Sequence, residues 1–298
     1  MGSEARTEEP PAAGRAGPPS PGGEAAPGVR SWIADGASQR LGARAAEPEA
    51  LLGELSAARP AAWMRRIPKR ETFAWPDAGA ALVAKRFVGD PEGARWRALA
   101  WWTPRRSPAR REAENLRALR AAGFPVPRAI AWLEDSDPAG RSALLMERVP
   151  HEANLREAVE RAPRDAARAW LRPLAELVAR LHAAGWYHRD LYLHHFVLAS
   201  EPGSPLQLAL LDLGRARNER SPRRRWFVKD LAALQLSTPA AVAARTRLRF
   251  VVEYARARGL SSAQARGLAC HALHKARRMA AHTPRHVDPH DALRGSGA

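Results

Sequence analysis

The chain has 298 residues, enough for one large domain or two small ones around a buried core, and its 45% apolar and 27% charged residues mark it as globular rather than disordered. Its net charge of +17, from 48 basic against 31 acidic residues, fits either an arginine- and alanine-biased composition or an anionic partner such as nucleic acid, anionic lipid or a phosphorylated sugar. The single cysteine, Cys270, excludes a disulfide framework and a cysteine-rich zinc site, and no run approaches the roughly 18 apolar residues of a membrane span.

The opening residues MGSEARTEEPPAAG carry no secretory apolar core, so the sequence predicts a soluble intracellular protein. Residues 1–30, rich in Pro, Gly, Ala and Glu without apolar periodicity, read as a disordered tail. Residues 31–61 read as an N-terminal helical extension whose apolar positions are Leu51, Leu52 and Leu55. Two strands follow at 62–75 and 80–87, separated by the turn Pro76-Asp77-Ala78-Gly79. The stretch 89–107 is tryptophan-rich and irregular. A helix is predicted over 108–122, stopped by Gly123 with Pro125 and Pro127 beyond it.

Residues 129–134 and 143–149 read as strands about a turn at 135–140. Over 166–184, Leu171, Leu174, Leu177, Val178 and Leu181 share one helical face, and Gly185 closes the helix. Short β-like stretches come next at 186–190, 196–199 and 206–212, with Glu201-Pro202-Gly203 as a turn. From about 228 to 283 the pattern is helical, and 286–298 read as a flexible tail. Strands with one helix, then mostly helix, predict an α+β enzyme of two lobes: a small β-rich lobe over 62–149 and a mainly helical lobe over 150–285.

The densest cluster of functional groups is Tyr187-His188-Arg189-Asp190-Leu191-Tyr192-Leu193-His194-His195-Phe196, directly after a helix stop and before an apolar strand. Further on, Leu210-Leu211 leads into Asp212-Leu213-Gly214. A carboxylate at the end of a buried strand is poorly explained by packing, because burying an unpaired charge is costly. Two of them at adjacent strand ends point to metal–phosphate chemistry.

His188-Arg189-Asp190, with a polar residue five positions after the Asp, followed by Asp212-Leu213-Gly214, resembles the catalytic and magnesium loops of the protein-kinase-like fold. Within that fold the sequence is most similar to the Kdo and heptose kinases of the lipopolysaccharide core in Gram-negative bacteria. That family has a catalytic segment like HRDLYLHHFVL, a magnesium segment like LLDLGRA and a downstream segment like Arg225-Trp226-Phe227-Val228-Lys229-Asp230-Leu231. The resemblance runs from about 62 to about 255.

The resemblance implies ATP and Mg²⁺ as cofactors. It implies that Lys85, after Leu82-Val83-Ala84, holds the α- and β-phosphates. With only four lysines in the chain, each is worth a role. A helix glutamate must orient that lysine, and Glu112 shares a face with Leu116 and Leu119 whereas Glu114 does not. Main-chain groups of Glu147 and Val149 would recognise adenine, with Met146 shaping the pocket behind. Asp190 would be the base or orienting acceptor for the attacking hydroxyl, and Asp212 the magnesium ligand. His188 would bond main chain near the magnesium loop, and Asp230 would fix the catalytic loop from beneath.

Two departures stand out. His195, a candidate metal residue, occupies the position where protein kinases carry the Asn that holds the second magnesium. Imidazole is a poor ligand for hard Mg²⁺, so either one metal suffices or His195 stabilises phosphate charge by hydrogen bonding. A Gly-rich phosphate loop is missing, with Arg65-Arg66-Ile67-Pro68-Lys69-Arg70-Glu71 in its region, where basic side chains would replace glycine amides. His182, His188, His194 and His195 are alternatively a metal cluster, while His271, His274, His282, His286 and His290 read as ordinary surface or core residues. The ten tryptophans are scattered as core residues are, not gathered as a nucleic-acid stacking platform. Nucleic acid explains the charge but none of the ordered motifs, so it is not an expected partner.

The run Ser221-Pro222-Arg223-Arg224-Arg225-Trp226 is either a solvated charge run or a dock for an acidic sugar or phosphate. The implied function is ATP-dependent phosphorylation of Kdo or heptose in the lipopolysaccharide inner core, in peripheral contact with the anionic inner face of the inner membrane. Alternatives are a kinase of another substrate, protein or small molecule, and a pseudokinase binding module. Aminoglycoside kinases fit less well, since they carry Gly where Arg189 stands.

Overall fold

The structure is a computed structural model that describes residues 28–60, 63–77, 81–88, 106–136, 140–199 and 207–281. Both expected tails, apart from residues 28–30, lie outside the described residues, as do the tryptophan-rich stretch up to residue 105 and the turn at 201–203.

Six strands form the first half: β1 (Val29–Ile33), β2 (Arg65–Ile67), β3 (Arg70–Trp75), β4 (Leu82–Val88), β5 (Ala129–Asp135) and β6 (Arg141–Glu147). They make one sheet in the order β1-β5-β6-β4-β3-β2, and every pairing is antiparallel. Because side chains alternate across a strand, β4 feeds two cores. Leu82 and Ala84 join Leu51, Leu52, Leu55 and Phe73 on one face, under helices α1 (Ser38–Leu41) and α2 (Pro48–Ala57). Val83 and Phe87 turn to the other face, against Leu116 and Leu119 of helix α3 (Pro108–Ala121). Lys85, two residues from each, points the same way.

Two expectations are corrected here. The segment predicted as a helical extension opens as strand β1, whose five residues pair with β5 in the same sheet, so this segment is built into the first lobe. A run so short, with Arg30 and Ser31 inside it, has no periodicity of its own; the free edge of β5 decides its conformation. The single strand expected over 62–75 is a hairpin, because Pro68 fixes φ near −65° and Lys69 adopts φ 64°. Ile67 therefore pairs with Arg70 across a two-residue loop, the sequence of dihedrals that a type II turn requires.

Arg86 on β4 ties α2 to the sheet. Its Nη1 donates to the carbonyls of Leu55, Ser56 and Ala58 at 2.8 to 3.1 Å, satisfying helix-end acceptors that otherwise lack partners. Its Nε meets Glu71 Oε2 at 2.5 Å.

The second half begins with β7 (His151–Asn154), α4 (Leu155–Arg161) and α5 (Pro163–Ala183). Strand β8 covers only Trp186–Tyr187; β9 (Phe196–Ala199) and β10 (Gln207–Leu210) form a small sheet with β7. Strand β11 (Arg217–Asn218) pairs with β8. Helices α6 (Arg224–Ser237), α7 (Ala244–Ala257) and α8 (Ser262–Ala280) complete it. Between α5, α6, α7 and α8, Trp170, Leu174, Leu234, Phe250, Tyr254 and Leu268 line an apolar cavity of about 390 Å³. The expected α+β order of a strand-rich half and a helical half is what the chain adopts.

Candidate active site

A second cavity, of about 190 Å³, lies between the six-stranded sheet and the segments that end β8 and β10. Alternation brings a row of side chains to it. Arg65, Thr72, Lys85 and Leu144 are successive cross-strand partners from β2 to β6, so all four lie on one face of the sheet.

Lys85 is 7% exposed and Glu112 1%, and the Lys85 Nζ donates to Glu112 Oε1 at 2.5 Å. Glu114, on the other helix face, instead meets Arg110 and Arg106 at 2.9 Å. Lys85 Nζ also reaches Asp212 Oδ1 at 3.2 Å. Burial pulls the ammonium down, but the Asp212 and Glu112 carboxylates outweigh it and hold its pKa above the usual lysine value. The same pairing, with Arg70, His195 and Arg65 adding to it, overcomes the burial of Asp212 and holds its carboxyl well below the usual carboxylate range.

Asp212 adopts φ 57° and ψ 62°, a left-handed conformation that Asp tolerates better than most residues. The turn is fixed from α3. Asn115 Nδ2 donates to the carbonyls of Leu213 and Ala216 at 2.8 and 3.1 Å. A Cβ on Gly214 would lie 3.3 Å from Glu112 Oε2, so glycine allows α3 and the loop to approach this closely. Asn115 went unnoticed in the sequence, although a lone amide amid a charged helix was a signal.

The segment from His188 is a loop, and the expected strand over 186–190 stops at Tyr187. Asp230, fully buried, accepts from the His188 N–H at 2.6 Å and the Arg189 N–H at 2.7 Å. Those two bonds hold Arg189 at φ 73°, where a bulky residue costs on the order of 1–3 kcal/mol. His188 Nε2 contacts the Leu211 carbonyl at 3.1 Å, joining this loop to the one that carries Asp212. His182 is placed between Tyr254 Oη at 2.8 Å and Asp230 at 3.4 Å.

Asp190 is held by groups that the sequence reading gave no task. Arg215 Nη1 donates to its Oδ1 and Oδ2 at 3.0 and 2.9 Å, and Lys229 Nζ is 3.8 Å away. Burial lowers the Lys229 pKa, and Asp190 only partly compensates. The scarcity of lysine was the signal for Lys229; Arg215 was one of too many arginines to be singled out. Trp226 of the charge run stacks on Tyr187 at 5.1 Å, with the Arg189 guanidinium 5.4 Å above it.

His195 contacts the Asp190 carbonyl through Nδ1 at 2.8 Å, which makes Nδ1 the protonated nitrogen. Its Nε2 is buried, has no hydrogen-bond partner among the described residues and lies 3.7 Å from Asp212 Oδ2. Asp212 supplies the oxygen donor that would hold Mg²⁺ here, whereas the bare His195 nitrogen beside it is a poor ligand for so hard a cation. Among the described residues no three His, Cys, Asp or Glu side chains form a metal cluster, so nucleotide phosphates would complete the coordination. Met146, Glu147, Val149 and Pro127 line the cavity on the β6 side. The Glu147 N–H is committed to the Arg128 carbonyl at 2.9 Å and the Val149 carbonyl to His151 at 2.8 Å.

Burial, with smaller contributions from His188 and His194, lowers the His195 pKa from 6.5 to about 3 against the pull of Asp212. The unfolded chain therefore takes up a proton below pH 6.5 that the folded chain refuses, and stability falls as pH drops toward 3, by about 1.4 kcal/mol per pH unit from this group. His195→Gln should flatten the fall in unfolding free energy between pH 6.5 and 5, measured by urea denaturation at a series of pH values. Parallel curves would show that His195 titrates normally.

The sequence profile of the lipopolysaccharide kinase (Kdo/WaaP) family matches residues 88–254. The lipopolysaccharide core heptose(I) kinase WaaP of Pseudomonas aeruginosa is 33% identical over 159 residues, which cover 50% of this chain and 59% of that protein. Its Escherichia coli namesake is 38% identical over 74 residues, 24% of this chain and 28% of that protein. The aligned part thus spans less than two thirds of either relative. A solved structure, WaaP in complex with acyl carrier protein, superposes with a TM-score of 0.62 at 26% identity, covering 84% of this chain and 98% of that one.

Proposed function

The chain belongs to the lipopolysaccharide kinase (Kdo/WaaP) family, and we propose that it is an ATP-dependent phosphotransferase acting on a Kdo or heptose hydroxyl of the lipopolysaccharide inner core. The observation that carries this reading is the Lys85–Glu112 pair at 2.5 Å, with Asp212 3.2 Å from the same ammonium. Adenine would enter against Met146 and use the main-chain groups of Glu147 and Val149 not committed elsewhere. Lys85 would hold the α- and β-phosphates. Asp212 would hold Mg²⁺, which would supply neutralisation of phosphate charge. Asp190 would accept the hydrogen bond of the attacking sugar hydroxyl and aim it at the γ-phosphate, since this reaction depends on position and charge more than on covalent help. Arg215 would keep that carboxylate in one orientation.

The acceptor is inferred from the family and from charge. Arg215 and Lys229 flank Asp190, and Arg223–Arg225 follow at the start of α6, a surface suited to a phosphorylated or carboxylated sugar. The net charge of +17 suits peripheral contact with an anionic membrane face. No described helix is long and apolar enough to cross a membrane.

The test is transfer of the ATP γ-phosphate to purified lipopolysaccharide inner-core oligosaccharide. The original chain should phosphorylate it, and Asp190→Asn should lower the rate about 10²- to 10⁴-fold while Mg·ATP affinity holds. Full activity in the variant would remove Asp190 from its role, and no transfer by the original chain would remove the acceptor.

A second partner is suggested by the apolar cavity of about 390 Å³ in the helical lobe. The similar solved structure holds acyl carrier protein, and we infer that this cavity receives an acyl chain. Leu193, beside His194 and His195, lines it, so an occupant would brace the catalytic loop. Leu268→Trp should abolish saturable binding of a long-chain fluorescent fatty acid; unchanged binding would reject this role for the cavity.

A further inference from the structure

The β2–β3 hairpin brings two arginines to the carboxylate that would bind metal. Arg70 Nη1 lies 3.4 Å from Asp212 Oδ1 and Arg65 Nη1 3.5 Å from its Oδ2, beside the Lys85 contact at 3.2 Å. Alternation explains why these two enter and their neighbours do not. Arg65, Thr72 and Arg70 line the cavity, Arg65 with its cross-strand partner Thr72 and Arg70 opposite Ile67. Arg66 and Glu71 turn to the opposite face, where they pair with each other at 2.8 Å.

The hairpin offers side chains rather than backbone. Pro68 at the loop has no N–H, and Ile67 and Lys69 carry side chains where a glycine would let main chain approach a phosphate closely. The Val88 N–H donates to the Lys69 carbonyl at 3.0 Å, anchoring the loop to β4. The arms of Arg65 and Arg70 are only 30% and 20% exposed. Each keeps a buried Nε with no acceptor among the described residues. Two guanidinium forks thus sit in the cavity with donors in hand, sharing one carboxylate that Lys85 already occupies.

Charge decides what such a site takes. Arg65, Arg70, Lys85 and Arg148 line the cavity with Glu112, Glu147 and Asp212, four cations against three anions. A divalent cation arriving alone would raise the positive excess and compete with three cations for Asp212. A triphosphate gives the forks new acceptors of the geometry they match best, and it frees Asp212 for the metal.

We propose that Arg65 and Arg70 are the phosphate clamp of the nucleotide site, and that they move from Asp212 to phosphate oxygens when Mg·ATP enters. Metal and nucleotide are thereby admitted together and metal alone is refused. The proposal rests on the nucleotide-site reading above and adds to it the residues that replace the glycine loop and the order of binding.

The experiment uses the full chain, with Mg·ATP binding followed by calorimetry and Mn²⁺ binding without nucleotide followed by electron paramagnetic resonance. The original chain should bind Mg·ATP and show little affinity for Mn²⁺ alone. Arg65→Gln with Arg70→Gln should weaken Mg·ATP about 10- to 100-fold and tighten Mn²⁺ alone by about tenfold or more, because the carboxylate loses two competitors. Unchanged Mg·ATP affinity would overturn the clamp, and weakened Mg·ATP with no gain in Mn²⁺ would overturn the exchange. If the double variant does not fold, Arg65→Gln alone carries both readouts in smaller size. Failure of the underlying reading is distinguishable: the original chain would then bind no Mg·ATP and Lys85→Ala would change nothing.

Discussion

One buried ammonium organises the site. Lys85 lies between Glu112 of α3 and Asp212 at the end of β10, and it stays charged because the two carboxylates outweigh the cost of its burial. Removing either partner would strand charge in a place where desolvation costs several kcal/mol. Everything nearby serves this meeting. The alternation of β4 sends Lys85 toward α3, Gly214 lets α3 approach the Asp212 loop, and Asn115 holds that loop by two carbonyls. On the other face of the sheet, α2 is fixed by Arg86, the residue next to the lysine.

The helical lobe has its own constraint in Asp230. Its carboxylate takes two successive main-chain N–H groups and so holds the Arg189 turn that presents Asp190. His188 links this turn to Leu211, immediately before Asp212. The two loops are thus registered to each other through hydrogen bonds to main chain, which is why Asp190 and Asp212 keep a fixed spacing. Arg215 and Lys229 then surround Asp190 with positive charge, and Arg65 and Arg70 do the same for Asp212.

The sequence was informative where a residue's task follows from its own neighbours. Glu112 was separable from Glu114 by helical periodicity, and Lys85 stood out because lysine is scarce. Asp190, Asp212, His188 and Asp230 came from ordered motifs, and the geometry brings all four together with Lys85 and His195. What stayed illegible depends on distant partners. β1 is a strand only because β5 offers it an edge, and the β2–β3 turn hid inside an apparently continuous strand. The basic run 65–70 stood out as a whole, but only register separates Arg65 and Arg70 from Arg66 and Lys69, and Arg215 could not be picked from a chain so rich in arginine. Asn115 acts through carbonyls about 100 positions away, which no local pattern reports.

Thermal melting of the original chain and of Lys85→Ala, each with and without Mg·ATP, tests the central claim most directly. A ligand bound only by the folded state stabilises it by roughly RT ln(1 + [L]/Kd). A rise in Tm that needs magnesium and is lost in Lys85→Ala is the predicted result. No rise in the original chain, or an equal rise in both, would contradict the assignment of this cavity to a metal–nucleotide complex.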